Sequence, residues 1–310
     1  MDAIVEARSR AGAVVVFYRP DAACFDRVNR LADLIFVVVV DNTPRDEEKD
    51  TASRAGSLDP RIEYRASGMN RGIAAAQNEG VDALISRGFD YGLLLDQDSE
   101  ASEDLVVGLV GAMHELRKEG RRVALVGPAY DDPRLGGVTP FVRFGALGLT
   151  RVPIVGSEPL EVDFLISSGS CIALSEWHVV GPMDESLFID FVDVEWCVRA
   201  KRAGCSVIGL PWLTMQHSLG DEPALVLGRT FAMHSAFRHY FLFRNATALI
   251  FYRRYMPLGW KISELGKLPV RAVIYPLFSG QPVEQIRMIV RGVVHGMINK
   301  LGPLRQKHGK

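Results

Sequence analysis

The sequence predicts an α/β fold around a mostly parallel sheet, and three observations carry that prediction. Apolar runs of strand length alternate with stretches of helical spacing, the pattern of stacked strand–helix–strand units. The runs, such as "LIFVVVV" at 34–40 and "LLL" at 93–95, read as buried strands. Two of them end on carboxylates: Asp41 after the first, Asp96 and Asp98 after the second, in "DYGLLLDQDSE" at 90–100. Open sheets of this class place ligands at the C-terminal ends of their strands.

Taken in order, "AVVVFY" (13–18) and "LIFVVVVDN" (34–42) are strands with a helical stretch between them, and "RIEYRA" (61–66) is a short strand. Residues 70–88 are predicted as a helix, because Ile73, Ala76, Gln77, Gly80 and Leu84 keep helical spacing and Gly88 stops it. The strand into Asp96 follows, then a helix from near Ser102. Further strands are expected at 123–130, 164–174 and 206–210, and helices at 192–204 and 224–256. A last helix is marked by Ile286, Ile289, Val290, Val293, Val294, Met297, Ile298 and Leu301, spaced for one face over four turns. No internal repeat or low-complexity run interrupts the pattern.

A chain of 310 residues, 48% apolar and 24% charged, has room for a large core. It is read as a catalytic domain over 1–255 and a helical extension over 256–310. The apolar run at 34–40 is far short of the roughly 20 residues that span a bilayer. No signal peptide is expected. Four cysteines without a CxxC pair are read as reduced thiols in a cytoplasmic protein. From Arg253 onward there are 11 Lys/Arg against 2 Asp/Glu, a net charge of about +9 on a chain whose total is −1. With the apolar stripe of the last helix, that excess points either to packing on the body with a solvated basic face or to an anionic membrane surface. Nucleic acid is not an expected partner.

Two carboxylates one residue apart repel each other, and a metal ion, a shared proton or solvent must relieve the repulsion. Asp96 and Asp98 could cap the helix that follows, although capping needs one residue. They could also form a phosphatase-like DxD, although about 90 residues of α/β pattern precede the pair, against a usual N-terminal position. Or Asp98 could hold Mg²⁺ or Mn²⁺, hard ions that bridge phosphates. Four companions bear on the choice. Asp41 could accept the N3–H of a pyrimidine. "FIDFVDVEWCVR" (188–199) sets Asp190, Asp193 and Glu195 among aromatic residues, where a carboxylate's pKa can rise toward that of a useful base. His217 in "LTMQHSLGD" could ligate a metal. Arg238 and Arg244 in "FRHYFLFRN" could share a face that grips phosphate.

The order of Asp41, "NRGIAAAQNEG", "LLLDQDS", "FIDFVDVEWCVR", "HSLGD" and "FRHYFLFRN" resembles bacterial family 2 glycosyltransferases of the rhamnosyltransferase type, over roughly residues 11–255. The tail "RGVVHGMINKLG" is similar to that family's ending. The resemblance implies a GT-A fold, a Rossmann-like sheet flanked by helices, that binds a nucleoside-diphosphate sugar and inverts its anomeric centre. It implies Asp41 against the base, Asn70 and Gly72 near the nucleotide, Asp96 facing the nucleotide-sugar, Asp98 and His217 on a divalent metal, and Arg244 on the diphosphate. Asp193 would be the base. Family members mostly carry Glu-Asp where this chain has Val192-Asp193, which keeps Asp190 and Glu195 in contention.

The implied donor is dTDP-β-L-rhamnose and the acceptor a hydroxyl of a saccharide or lipid-linked saccharide in surface polysaccharide synthesis. Rival readings are a hexosyl- or galactofuranosyltransferase using a UDP-sugar, a phosphatase-like hydrolase, and a non-catalytic nucleotide-sugar-binding subunit of a membrane complex. The chemistry asked of the residues is that of glycosyl transfer: an oxocarbenium-like transition state, a leaving diphosphate to be neutralised and an acceptor proton to be taken.

Overall fold

The structure, a computed structural model, describes residues 2–45, 55–132, 137–216, 224–226 and 229–304. Helix α1 (Asp2–Ser9) leads into strand β1 (Ala11–Phe17), α2 (Ala22–Ala32), β2 (Phe36–Asp41), β3 (Glu63–Ala66), α3 (Ile73–Ser86), β4 (Tyr91–Asp96), α4 (Glu103–Lys118) and β5 (Val123–Asp132). Short strands β6 (Gly137–Thr139), β7 (Phe141–Phe144), β8 (Leu149–Val152) and β9 (Leu160–Glu161) precede β10 (Ser170–Ala173), α5 (Leu174–Val180) and α6 (Val192–Arg202). Strands β11 (Ser206–Gln216), β12 (Ala224–Val226) and β13 (Arg229–Phe231) follow. Helices α7 (Ala236–Tyr252), α8 (Leu258–Phe278) and α9 (Pro282–Met297) complete the chain.

The main sheet runs β3-β2-β1-β4-β10-β5-β11-β9, with β6 on β5. Strands β3, β2, β1 and β4 are mutually parallel, as are β5 and β11, whereas β10 lies antiparallel between β4 and β5. Alternate residues serve two cores. Val14, Val16, Val38, Val40 and Leu94 meet α3 and α6 on one face. Val15, Phe17, Val37, Val39, Leu93 and Leu95 meet α2 and α4 on the other. Burial on both faces explains why these strands carry almost no polar residue. Since β1 connects to β2 on one side and pairs with β4 on the other, the strand order reverses there, and a crevice opens at the carboxyl ends.

Three differences from the sequence reading have physical causes. Residues 224–226 and 229–231 form a hairpin, so the helix expected from 224 starts at Ala236, where the Ser235 hydroxyl accepts the Arg238 N–H at 3.3 Å. The helical extension expected over 256–310 holds a separate helix, α8, that the spacing did not delimit, because Pro269 and Pro276 lie inside it and break the pattern of a regular helix. Helix α9 turns a different face inward. Gln285, Met288, Ile289, Gly292 and Gly296 are buried, while Ile286, Val290, Val294 and Met297 are exposed. The glycines decide this. A Cβ would come within 2.6 Å of the Tyr240 carbonyl at Gly292 and within 2.6 Å of the Arg244 carbonyl at Gly296. The absence of side chains lets α9 approach the backbone of α7, and a hydrophobic-spacing argument does not count glycine as a contact residue.

Candidate active site

A cleft of about 890 Å³ lies at the carboxyl ends of β1, β2 and β4. One rim is made by the sheet. Tyr18 and Arg19 follow β1, Asn42 and Pro44 follow β2, and Asp96, Gln97 and Asp98 end β4. These turns are tied together: the Gln97 side chain accepts the Tyr18 N–H at 2.8 Å, and the Thr43 hydroxyl accepts the Arg19 N–H at 2.7 Å. The Asp96 N–H donates to the Ser168 hydroxyl at 3.0 Å, and Ser168 in turn pairs with Ser99 at 2.6 Å. Asp96 is half-buried, and Asp98 is exposed.

Asp41 sits beneath this rim, fully buried, its carboxylate accepting from the Thr43 N–H and the Tyr64 hydroxyl, each at 2.8 Å. The residues beside it that line the cleft are Asn42 and Pro44. Asn70 and Gly72 line it too. The Asn70 side chain accepts the Gly72 N–H at 3.0 Å, and Asn42 donates to the Gly72 carbonyl at 2.9 Å. Gly72 has φ +87°, and a Cβ there would meet the Phe188 carbonyl at 2.5 Å. The start of α3 thus joins the first rim to the second, and the Ile73 N–H donates to Phe188 at 2.8 Å.

The second rim is the segment 188–193, followed by α7. Phe188, Ile189, Asp190, Phe191, Asp193, Phe237 and Arg238 line the cleft, with Pro303 and Leu304 from the chain's last described residues. Burial raises the Asp193 carboxyl to about 6, and the neighbouring charges of Asp190 and Asp96 act in the same direction. Burial also raises Asp190, which Arg238 opposes through an ion pair at 3.2 Å.

Asp41, expected against the base, is buried beneath the rim and does not line the cleft, and two further expected site residues face elsewhere. Glu195 lies two positions after Asp193, about 200° round the helix. It is buried against Arg199 (2.7 Å) and the Tyr255 hydroxyl (2.6 Å), does not line the cleft, and is corrected from candidate base to structural ion pair. Arg244 is six positions after Arg238, about 120° away on the helix surface. It is wholly buried and its donors are taken by the Ser186, Leu187 and Gly302 carbonyls and by Asn245, so it is corrected from diphosphate contact to internal brace. Of these two arginines, Arg238 faces the cleft.

His217, the expected second metal ligand, lies outside the described residues. Among the described residues no group of three or more His, Cys, Asp or Glu gathers. The Asp96–Asp98 pair nevertheless fits a hard divalent ion of the kind that takes one or two carboxylates and fills its remaining positions with phosphate and water. Tyr18, Arg19 and Asn42 were missed by sequence reasoning. The only signal was their place just after strands β1 and β2.

The mostly parallel sheet flanked by helices, with its cleft at the strand ends, is a fold of the GT-A type. Residues 22–131 match the family Glycosyl transferase family 2. The chain is 30% identical over 260 residues, 82% of its length and 83% of the relative's, to the dTDP-rhamnosyl transferase RfbF of Shigella flexneri. It is 25% identical over 311 residues, 93% of its length and 91% of the relative's, to the low-salt glycan biosynthesis hexosyltransferase Agl10 of Haloferax volcanii. In fold it is similar to GalNAc-T7 solved with UDP, GalNAc and Mn²⁺, with a TM-score of 0.56 at 14% identity. That match covers 94% of this chain but only 56% of the other. The chain belongs to glycosyl transferase family 2, and its resemblance is to the rhamnosyltransferase type.

Proposed function

We propose that this glycosyltransferase moves L-rhamnose from dTDP-β-L-rhamnose to a hydroxyl of a saccharide or lipid-linked saccharide, inverting the anomeric centre. The observation that carries the reading is Asp193: a carboxyl raised to about 6, on the cleft wall opposite the strand end that bears Asp96 and Asp98. A general base works best with a pKa near the operating pH. In this reading the pyrimidine lies against Asn42 and Pro44, above Asp41, with Asn70 and Gly72 at the nucleotide. Arg238 and Arg19 supply positive charge toward the diphosphate. Asp98, with Asp96 beside it, would hold Mg²⁺ or Mn²⁺, which when bound neutralises charge on the departing diphosphate. Asp193 takes the acceptor proton as the hydroxyl attacks from the face opposite the leaving group, giving an α-L-rhamnoside.

The donor assignment is supported by the relative named as a dTDP-rhamnosyl transferase. A panel of nucleotide sugars with Mg²⁺ or Mn²⁺ tests it, with the product's anomeric configuration read by NMR. Tighter binding and faster turnover of dTDP-L-rhamnose than of UDP-hexoses, with an α product, is expected. Preference for UDP-glucose or UDP-galactofuranose overturns the sugar, and a retained configuration overturns the in-line mechanism.

The same reading puts the protein on the inner face of the cytoplasmic membrane. No helix among the described residues is long and apolar enough to cross a bilayer. Helix α8 nevertheless exposes Leu258, Ile262, Leu265, Val273 and Leu277 at helical spacing, and α9 exposes Ile286, Val290, Val294 and Met297 beside Arg287 and Arg291. Each basic residue near an anionic surface contributes about 1 kcal/mol. A few residues beyond α9, Pro303 and Leu304 line the cleft, so a lipid-borne acceptor would meet the site where that helix ends. Full-length protein should float with anionic vesicles at low salt, and the pair Leu277→Glu with Val290→Glu should not. Flotation unchanged by the pair, or absent in the wild type, rejects this attachment.

A further inference from the structure

The segment that carries the candidate base is held in a conformation its own sequence does not favour. Phe188 has φ +67° and ψ −62°, with the Ile189 N–H donating to the Leu187 carbonyl at 2.8 Å, which is the rare and strained form of the γ-turn. Asp190 and Phe191 also have φ of +65°. None of the three is glycine, and positive φ is costly for bulky L residues. Such a backbone persists only when its surroundings over-determine it.

The surroundings here are two consecutive residues of α7. The Asn245 amide points at the carbonyls of Leu187 (2.9 Å), Ile189 (2.7 Å) and Asp190 (3.0 Å). Arg244 donates to Ser186 (3.0 Å) and Leu187 (2.8 Å), and its Nε donates to the Asn245 side chain at 2.9 Å, which locks the pair together. Its remaining arm donates to the Gly302 carbonyl, and the Gly302 N–H donates back to the Ser186 carbonyl at 2.7 Å. The guanidinium also lies over the Phe241 ring, 4.6 Å from its centre. A planar fork with five donors can reach carbonyls of separate segments at once. Both residues are fully buried, so neither touches a ligand in the cleft.

We propose that Arg244 and Asn245 are positioning residues that hold the strained 187–190 backbone, and with it the acid-bearing wall of the cleft, and that Arg244 locks the Pro303–Leu304 wall to the same backbone. The catalytic part rests on Asp193 acting as base. The mechanical part does not.

The test uses full-length Asn245→Ala and Arg244→Lys, the lysine keeping the charge but losing the fork. Arg244→Ala would leave several buried carbonyls bare and is expected not to fold. Hydrogen exchange should quicken at least about tenfold in peptides covering 186–193 and 300–304, with those of β1 and β4 unchanged. Turnover of the wild type's best nucleotide-sugar donor should fall about 10- to 100-fold, the scale of a small misplacement of a reacting group, while calorimetric affinity for the nucleoside diphosphate stays within about threefold. Exchange as slow as in the wild type in both variants overturns the proposal. So does faster exchange with turnover unchanged. If the wild type transfers sugar from no nucleotide donor, the functional reading fails, and the exchange measurements still decide whether these two residues hold the segment.

Discussion

The two rims of the cleft are built on opposite plans. The sheet rim is the ordinary end of three parallel strands, and each of its residues is placed by the strand immediately before it. The acid-bearing rim is strained at three non-glycine residues and is placed by α7, some 55 positions further along the chain. A rim that binds can be made from the rigid sheet alone. A rim that must present a partly desolvated carboxylate is braced from outside, because its own backbone would relax toward negative φ.

The largest expected effect is at Asp193, whose substitution should separate function from stability. Asp193→Asn should lower turnover about 10²–10⁴-fold, the usual loss on removing a general base. It should also stabilise the protein. A carboxyl raised from its ordinary value of 3.8 to about 6 in the native state lowers stability as pH rises between those values. Removing the charge should therefore give about 1–3 kcal/mol at pH 7.5 and almost nothing at pH 4, read by denaturant unfolding at both. Wild-type turnover should rise with pH through about 6. If Asp193→Asn keeps full rate, the base lies elsewhere on this rim, and Asp190 is next to examine.

Glu195→Gln should do the reverse. Breaking its buried pair with Arg199 should cost about 3 kcal/mol, the lower end for such pairs because Arg199 is partly exposed. The surviving folded enzyme should keep the pH inflection of the wild type. A profile that loses its inflection would return Glu195 to the catalytic role.

Gly72→Ala probes the junction of the rims. Its φ of +87° and the 2.5 Å approach to the Phe188 carbonyl predict a loss of about 1–3 kcal/mol, seen as a lower midpoint in denaturant. An unchanged midpoint would mean the rims are not in register through α3. Asp98→Ala should be the mildest for the fold, within about 0.5 kcal/mol, since its side chain is exposed. Its effect should appear in calorimetry as loss of the Mg²⁺- or Mn²⁺-dependent part of donor binding. Donor affinity that responds to metal as in the wild type would remove Asp98 from the metal site.

Much of this was legible in the chain itself. Strand runs at 13–18 and 34–42, the Asp96–Asp98 strand end and the helix over 70–88 follow from apolar pattern and local stop signals, which act over a few residues and need no partner. Asp96, Asp98, Asn70, Gly72 and Asp193 do line one cleft. What the tertiary structure decided was direction. Asp193 and Glu195 are equivalent acids in the sequence, as Arg238 and Arg244 are equivalent cations, and only the packing of α6 and α7 turns one of each toward the cleft and buries the other. The inward face of α9 was likewise fixed by Gly292 and Gly296, whose contribution is the absence of a side chain and exists only against the backbone of α7. Periodicity records which residues are apolar; which of two polar residues meets the ligand depends on neighbours far away in the chain.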